Sequence, residues 1–175
     1  MASVGRIEGT RLVLRPFGAR DAPEVQRLAS APEIAAATLG IPHPYPDGAA
    51  EEWIERQEAE PAMHHFATTL PDSGVLIGAI GLDVEDRHDR AELGYWVGVP
   101  YWGNGYATEA ARMVVTYAFD TLHLHRVYAF HFTNNPASGA VLRKIGMTHE
   151  GTRRGHTRKG DAYLDSDGYA ILRSV

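Results

Sequence analysis

The sequence Val-Pro-Tyr-Trp-Gly-Asn-Gly-Tyr-Ala-Thr-Glu-Ala-Ala at residues 99–111 joins a predicted strand to a predicted helix through two glycines. Gly103 and Gly105 permit positive φ angles and a close approach of the backbone to a ligand. The unpaired amides in the first turn of the following helix point toward this turn, at the positive end of the helix dipole. The segment therefore has the features of a phosphate-binding turn.

Residue spacing separates the kinds of nucleotide-binding turn. A Walker loop requires Lys followed by Ser or Thr after its last glycine, whereas Gly105 is followed by Tyr106 and Ala107, so this alternative is excluded. A dinucleotide fingerprint requires Gly-x-Gly-x-x-Gly/Ala, and Ala107 comes one residue too early for it. The alternative remains open that the glycine turn binds no ligand and only lets the helix pack closely on the sheet.

The residues before this turn predict an opening strand, two helices and a three-stranded antiparallel meander. Asp21 is predicted to be the N-cap of the first helix, with Pro23 in its first turn. The proline-rich stretch at 41–48 predicts a loop. The predicted elements are a strand ended by Pro16, a helix ending before Pro32, a helix at 49–60, and strands at 65–70, 75–84 and 91–97.

The residues after the turn predict a strand-turn-helix-strand unit, which normally forms a right-handed crossover between parallel strands. A second helix begins with Asn135 as N-cap and Pro136 at the first helical position, and it ends at Gly146. The sheet is therefore mixed. The predicted elements are helices at 106–121 and 136–145 and strands at 126–132, 147–153 and 162–172.

Length and composition limit the class of protein. A chain of 175 residues has room for one sizeable core, so we predict one domain over residues 1–175. The absence of cysteine excludes disulfides, thiolate catalysis and Cys-ligated metals. A net charge of −5 without a block of Lys or Arg argues against nucleic acid as a partner. The nine histidines lack a metal-ligand spacing, so no metal is expected.

The chain has no apolar run of the length that spans a bilayer, and its first 20 residues carry charges where a signal peptide is apolar. We therefore expect a cytoplasmic protein that does not act at a membrane.

Five stretches of the sequence form an ordered set of motifs: Arg11-Leu-Val-Leu-Arg-Pro16 with Asp21-Ala22, Ala91-Glu-Leu-Gly-Tyr-Trp96, Tyr101-Trp-Gly-Asn-Gly-Tyr-Ala-Thr-Glu-Ala110, Asn135-x-x-Ser138-x-x-Val141-Leu-x-Lys144-x-Gly146 and Asp165-x-x-x-Tyr169-Ala-Ile-Leu172. In this order they resemble the GNAT superfamily of N-acetyltransferases, and most closely its RimJ/RimL-like branch of ribosomal-protein N-terminal acetyltransferases. The resemblance covers nearly the whole chain and implies an α/β (α+β) fold. Its expected features are a mixed, mostly antiparallel seven-stranded sheet, splayed central parallel strands and about four flanking helices.

The resemblance implies acetyl-CoA as co-substrate, with its pantetheine arm between the splayed strands. Backbone groups of Val97 and Val99 would bind pantetheine, and the side chain of Asn135 would contact the same arm. Trp102 stands where the broad superfamily pattern has Gln or Arg, but it suits the RimJ/RimL-like branch. The residues implied to hold the pyrophosphate are Trp102, Gly103, Asn104, Gly105, Tyr106, Ala107 and Thr108.

The resemblance also implies the catalytic groups. Ser138 matches a hydroxyl near the thioester sulfur, where it stabilises or protonates the departing thiolate. Glu92 matches a strand position that carries a general-base carboxylate, and strand periodicity predicts that Glu92, Gly94 and Trp96 share one face. The alternative for Glu92 is a solvated carboxylate or an ion pair with an arginine. The alternative for Asn135 and Ser138 is that they only satisfy first-turn amides.

The sequence therefore predicts an N-acetyltransferase acting on a primary amine by direct attack in a ternary complex. The acceptor is a protein N-terminus or a small amine, and a homodimer is an expectation from related folds. A non-catalytic CoA-binding or regulatory module is the alternative function. His131 and His149 are minor candidates for a proton relay, and the aromatic residues Tyr95, Trp96, Tyr101 and Trp102 are expected to pack in the core.

Overall fold

The computed structural model describes residues 5–174, which form one mixed sheet with helices on both faces. The ends of the predicted domain, at residues 1–4 and 175, lie outside the described residues. The strands are β1 (Ile7–Glu8), β2 (Val13–Arg15), β3 (Met63–Thr69), β4 (Leu76–Glu85), β5 (Arg90–Val97), β6 (Arg126–Phe132), β7 (Thr148–Lys159) and β8 (Ala162–Leu172). The α-helices are α1 (Ala22–Ala29), α2 (Pro32–Ala37), α3 (Ala49–Ala59), α4 (Tyr106–Asp120) and α5 (Pro136–Lys144).

The sheet has the strand order β1-β2-β3-β4-β5-β6-β8-β7. Strands β3, β4 and β5 form the predicted antiparallel meander, and β5 pairs with β6 in parallel after the crossover through α4. The mixed α/β fold is therefore confirmed. Within the described residues the sheet has eight strands rather than seven, because the two-residue β1 pairs with β2. A strand of two residues is too short to produce an alternating pattern in the sequence.

The structure also adds a fifth helix. Pro32 was predicted to stand beyond the end of the first helix, and α1 does end at Ala29. The same proline occupies the first turn of α2, where its missing N–H would have no partner in any case. Strand β7 extends to Lys159, six residues beyond the predicted limit of Arg153.

Asp21 has a different role from the predicted one. It precedes α1, but its carboxylate makes no capping hydrogen bond to that helix. Both carboxylate oxygens instead bind the guanidinium of Arg15 at 2.7 Å, and one accepts the N–H of Gly18 at 2.9 Å. The carboxylate therefore joins β2 to the turn before α1 in a nearly buried ion pair.

The helices cover two apolar surfaces of the sheet. Ala110, Val114 and Ala118 recur every four residues along α4 and are fully buried against one face. Helices α1 and α3 pack on the other face. Strand β5 contributes to both clusters, with Leu93 in the first and Trp96 against the second.

The two central strands diverge. Strands β5 and β6 pair only from Arg90 to Glu92 on one side and from Arg126 to Tyr128 on the other. Beyond this point β5 stays paired with β4 as far as Val97, while β6 stays paired with β8 as far as Phe132. A gap therefore opens between the central strands, as the sequence resemblance implies. None of the helices within residues 5–174 has both the length and the apolar composition to cross a membrane.

Candidate active site

The glycine turn lies on one side of the gap, between β5 and α4. Gly103 and Gly105 have φ angles of 79° and 77°, in the left-handed region that favours glycine. The first backbone hydrogen bond of α4 runs from Glu109 N to Gly105 O at 3.1 Å. The N–H groups of residues 106–108 therefore have no acceptor in the preceding turn of the helix, and they give the turn its capacity to bind an anion.

Hydrogen bonds stabilise this turn, from Asn104 within it and from Arg11 in the segment before β2. The Asn104 side chain donates to the carbonyl oxygens of Tyr101 and Trp102, both at 3.1 Å. Arg11 donates from Nη1 to the Asn104 carbonyl at 2.9 Å and from Nε to Glu109 at 2.7 Å. The Asn104 side chain is thus used within the turn, and Arg11 is a residue of this site that the sequence analysis missed.

Trp102 is half-exposed rather than packed in the core. Its indole Nε1 donates to the carbonyl oxygen of Val97 at 2.6 Å, and its backbone N–H donates to Val99 at 3.2 Å. The carbonyl groups of Val97 and Val99 therefore already have a donor. Backbone binding of pantetheine by these two residues remains a prediction. Trp96 and Tyr101 do pack against the core, as predicted.

The start of α5 lies on the other side of the gap. Asn135 caps this helix by accepting the Ser138 N–H at 3.4 Å, and Pro136 follows at the first position, as predicted. The Ser138 hydroxyl does not bind a first-turn amide. It lies 2.7 Å from the hydroxyl oxygen of Tyr95, which comes from β5 across the gap.

Tyr95 is the second residue that the sequence analysis did not assign to the site. Burial raises the pKa of its phenol to about 12, so the group stays protonated at neutral pH. The phenol therefore keeps a proton to donate, and in its hydrogen bond with Ser138 Oγ either hydroxyl can be the donor. The Tyr95 hydroxyl also donates to the Ser138 carbonyl oxygen at 3.3 Å. Because the two residues are 43 positions apart, no local signal in the sequence connects them.

Glu92 and Ser138 line the same cavity, which has a volume of about 770 Å³. The cavity lies between the sheet and the helices α1–α3. Glu92 is accessible from the cavity, and the surrounding walls still remove enough water to raise its pKa above the ordinary value. The nearby Asp83 carboxylate also raises the pKa of Glu92, while Arg153 opposes the shift. A carboxyl group with a raised pKa is suited to accept a proton from an ammonium group.

The two minor candidates have separate positions. His131 is buried, lines the cavity and donates from Nδ1 to the Phe132 carbonyl at 2.7 Å, which leaves Nε2 without a hydrogen-bond partner among the described residues. His149 is exposed and lies 3.3 Å from Asp167. A relay role for either histidine stays a prediction. Within the described part of the chain, no three His, Asp or Glu side chains are grouped as metal ligands.

Comparison with known proteins supports the same interpretation. Residues 11–148 match the family described as "Acetyltransferase (GNAT) domain". The uncharacterized N-acetyltransferase YoaA of Bacillus subtilis is 38% identical over 103 residues, which is 58% of this chain and 58% of that protein. The alignment thus spans less than two thirds of that relative.

Solved structures extend the similarity to nearly the whole chain. A GNAT-family acetyltransferase from Bacillus anthracis superimposes with a TM-score of 0.88 at 26% identity, over 96% of this chain and 98% of that one. Mycobacterium smegmatis RimJ in complex with CoA-disulfide gives a TM-score of 0.83 at 26% identity, over 92% and 81% of the two chains. The similarity to RimJ agrees with the branch suggested by the sequence motifs.

Proposed function

The chain belongs to the acetyltransferase (GNAT) family, and we propose that it transfers an acetyl group from acetyl-CoA to a primary amine by direct attack. The acetyl donor is the co-substrate, and no acetyl-enzyme is required in a chain without cysteine. The acceptor is a small amine or a protein N-terminus. A homodimer and a cytoplasmic location are further expectations from the family, and light scattering tests the first.

The glycine turn and the gap between β5 and β6 are the proposed binding site for the co-substrate. The backbone amides of residues 103–108 would hold the pyrophosphate, because they combine two left-handed glycines with the start of α4. Asn135 and the N–H groups of Val97 and Val99 would contact pantetheine in the gap. This arrangement brings the thioester toward Ser138.

Glu92 is the proposed general base. It removes one proton from the ammonium group, and the free amine then attacks the thioester carbonyl carbon. A backbone N–H near Val97 polarises the carbonyl oxygen as charge develops on it. The tetrahedral intermediate loses the second N–H proton from its positively charged nitrogen to solvent and collapses with cleavage of the C–S bond, which yields the amide and CoA thiolate. Ser138 stabilises or protonates that thiolate.

One observation carries the proposal: Glu92 on β5 and Ser138 on α5 line one cavity beside the splayed strands. The alternative of a non-catalytic CoA-binding module is not favoured, because both proposed catalytic groups are present and the N-acetyltransferase relative shares the family.

Ligand binding and thiol release test the proposal in two steps. Acetyl-CoA and CoA should raise the melting temperature, whereas NAD and ATP should not. Glu92→Gln should lower kcat by about 100-fold while acetyl-CoA affinity stays unchanged. The matched control is Glu60→Gln, at an exposed carboxylate outside the cavity. An unchanged kcat in Glu92→Gln would remove Glu92 from the base role.

A further inference from the structure

The wall of the cavity contains a guanidinium group without a carboxylate partner. Arg153 extends from β7 into the cavity lining, and no described carboxylate oxygen lies within 4.0 Å of it. Other arginines near the sheet are paired, for example Arg126 with Glu150 and Arg90 with Glu85. Arg153 thus lacks the direct ion pair that Arg126 and Arg90 have, and it faces the space where the acceptor must lie.

Aromatic stacking holds the Arg153 side chain in place. Its guanidinium carbon lies 4.1 Å from the ring centroid of Phe130 on β6. Phe130 in turn passes over Gly168 on β8, where a Cβ atom would lie only 3.0 Å from the ring. Stacking occupies the face of a guanidinium and leaves the N–H groups in its plane available. One of them donates to His156 Nε2 at 3.2 Å, and the others remain available to an anion.

The cavity lining contains the carboxylates of Glu52, Asp83 and Glu92 and the guanidinium groups of Arg56 and Arg153. Glu92 and Arg153 interact through space, because Arg153 offsets part of the increase in the pKa of Glu92. Asp83 is already bound to His65 at 2.8 Å. Arg56 of α3 adds a second guanidinium to the lining. An amine that is bound at Glu92 and also carries an anion can pair that anion with Arg153, whereas a polyamine has no group that pairs with this guanidinium.

The remaining walls favour a small, partly apolar acceptor. Trp53, Tyr45 and Trp96 line the cavity. Lys159, near the end of β7, donates to the carbonyl oxygens of Ala35 and Thr38. This contact ties the hairpin of β7 and β8 to the end of α2, where Ala37 and Thr38 line the cavity.

Building on the proposed function, we infer that the acceptor is a small zwitterion of the α-amino acid class, whose anionic group Arg153 binds while its amine faces Glu92. Arg153 is then the specificity-determining residue of the acceptor site. The reaction stays the same: an N–C bond forms at the acetyl carbonyl, the C–S bond breaks, and the amine proton passes to Glu92.

Thiol release with matched amines tests this inference. The panel consists of phenylalanine and methionine, their amides, short peptides with the same N-terminal residues, and spermidine. We expect kcat/KM to be at least about tenfold higher for the amino acids than for their amides, because a charge-assisted hydrogen bond is lost. The amides have the less basic amine and thus more free base at neutral pH, so this bias acts against the expected result.

Substitutions test whether Arg153 causes the preference for amino acids over their amides. Arg153→Gln should lower kcat/KM for the amino acids by about tenfold or more and leave the amides nearly unchanged, when both are measured at a pH where Glu92 is fully deprotonated, because Arg153 also lowers the pKa of Glu92. Arg153→Lys should restore part of the loss. The matched control is Arg154→Gln, at an exposed residue next along β7 that does not line the cavity and should have no effect.

Each outcome separates the inference from the proposed function. The zwitterion inference would be overturned if amides, peptides or spermidine reacted as well as the amino acids, or if the preference for amino acids survived Arg153→Gln. Either result would leave the proposed acetyl transfer intact. Acetyl-CoA binding without thiol release from any amine would overturn both, because the inference depends on the transfer reaction.

Discussion

Tyr95→Phe is the substitution that most sharply tests how the site handles the departing thiolate. It removes one hydroxyl and nothing else, and with it the 2.7 Å contact to Ser138 Oγ. A hydrogen bond between neutral groups contributes about 1 kcal/mol net, which corresponds to about a fivefold change in rate if it is needed in the transition state. We therefore expect kcat to fall by about fivefold, while acetyl-CoA affinity stays the same.

The double-mutant cycle shows whether Tyr95 acts through Ser138. Ser138→Ala should lower kcat by about tenfold to 100-fold, at the low end for a positioned acid because a thiolate is a good leaving group. In the Ser138→Ala background, Tyr95→Phe should cause no further loss. The assay is single-turnover thiol release at saturating acetyl-CoA.

Two results would refute this reasoning: an unchanged kcat in Tyr95→Phe, or a full fivefold loss that persists without Ser138. Tyr163→Phe is the matched control, because that phenol is 67% exposed and should not affect turnover. A melting temperature close to that of the wild type in Tyr95→Phe excludes an effect through unfolding.

Three further predictions concern the base, the glycine turn and the fold. Activity should rise with pH through a pKa above the ordinary glutamate value, because only the deprotonated carboxylate of Glu92 is a base and both desolvation and Asp83 disfavour that form. Asp83→Asn should shift this acidic limb of the pH–rate profile to lower pH. Arg11→Ala should weaken CoA binding by about fivefold in calorimetry, because one charge-assisted hydrogen bond to the glycine turn is lost. The same substitution should change the unfolding free energy by less than about 1 kcal/mol, because the Arg11 side chain in the pair with Glu109 is half-exposed. Arg15→Gln should cost about 3 kcal/mol in denaturant unfolding, because it leaves the nearly buried Asp21 carboxylate without its cation.

The pH dependence of the last variant has a defined sign. Burial opposes ionisation of Asp21, but the bonds from Arg15 and the Gly18 N–H outweigh it and hold the pKa of Asp21 below its usual value. The ion pair therefore stabilises the fold above the unfolded-state pKa and ceases to do so as pH falls through the folded-state pKa. A stability deficit of Arg15→Gln that persists unchanged at strongly acidic pH would contradict this.

Controls for the other two predictions are available in the same chain. Arg6→Ala removes an exposed arginine whose side-chain partner within residues 5–174 is Glu8, so CoA affinity should not change. Equal loss of affinity in Arg6→Ala and Arg11→Ala would point to a general charge effect rather than support of the turn. An acid limb unaffected by Asp83→Asn would mean that a group other than Glu92 controls the profile.

Local signals were sufficient for the crossover unit and both helix starts around the gap. The conformation of Gly103 and Gly105, the cap at Asn135 and the stop at Gly146 each depend on a few adjacent residues. Such short-range rules can be read from a single sequence. The splaying of β5 and β6 could be inferred only from the family resemblance.

Contacts between distant residues could not be read in this way. Arg11 and Glu109 are 98 positions apart, and their pairing exists only because the segment before β2 approaches the start of α4. The indole of Trp102 was expected to pack, but its N–H instead finds the Val97 carbonyl that the divergence of the strands leaves open. In both cases tertiary structure decides which polar groups remain to be satisfied.

The most direct test of acetyl transfer is mass spectrometry of an incubation with acetyl-CoA and the amine panel, together with quantification of free thiol. The account predicts one acetylated amine for each CoA released, and no acetylated protein when the amine is omitted. Stoichiometric acetyl-enzyme without an acceptor, or CoA release without an acetylated amine, would contradict direct transfer in a ternary complex.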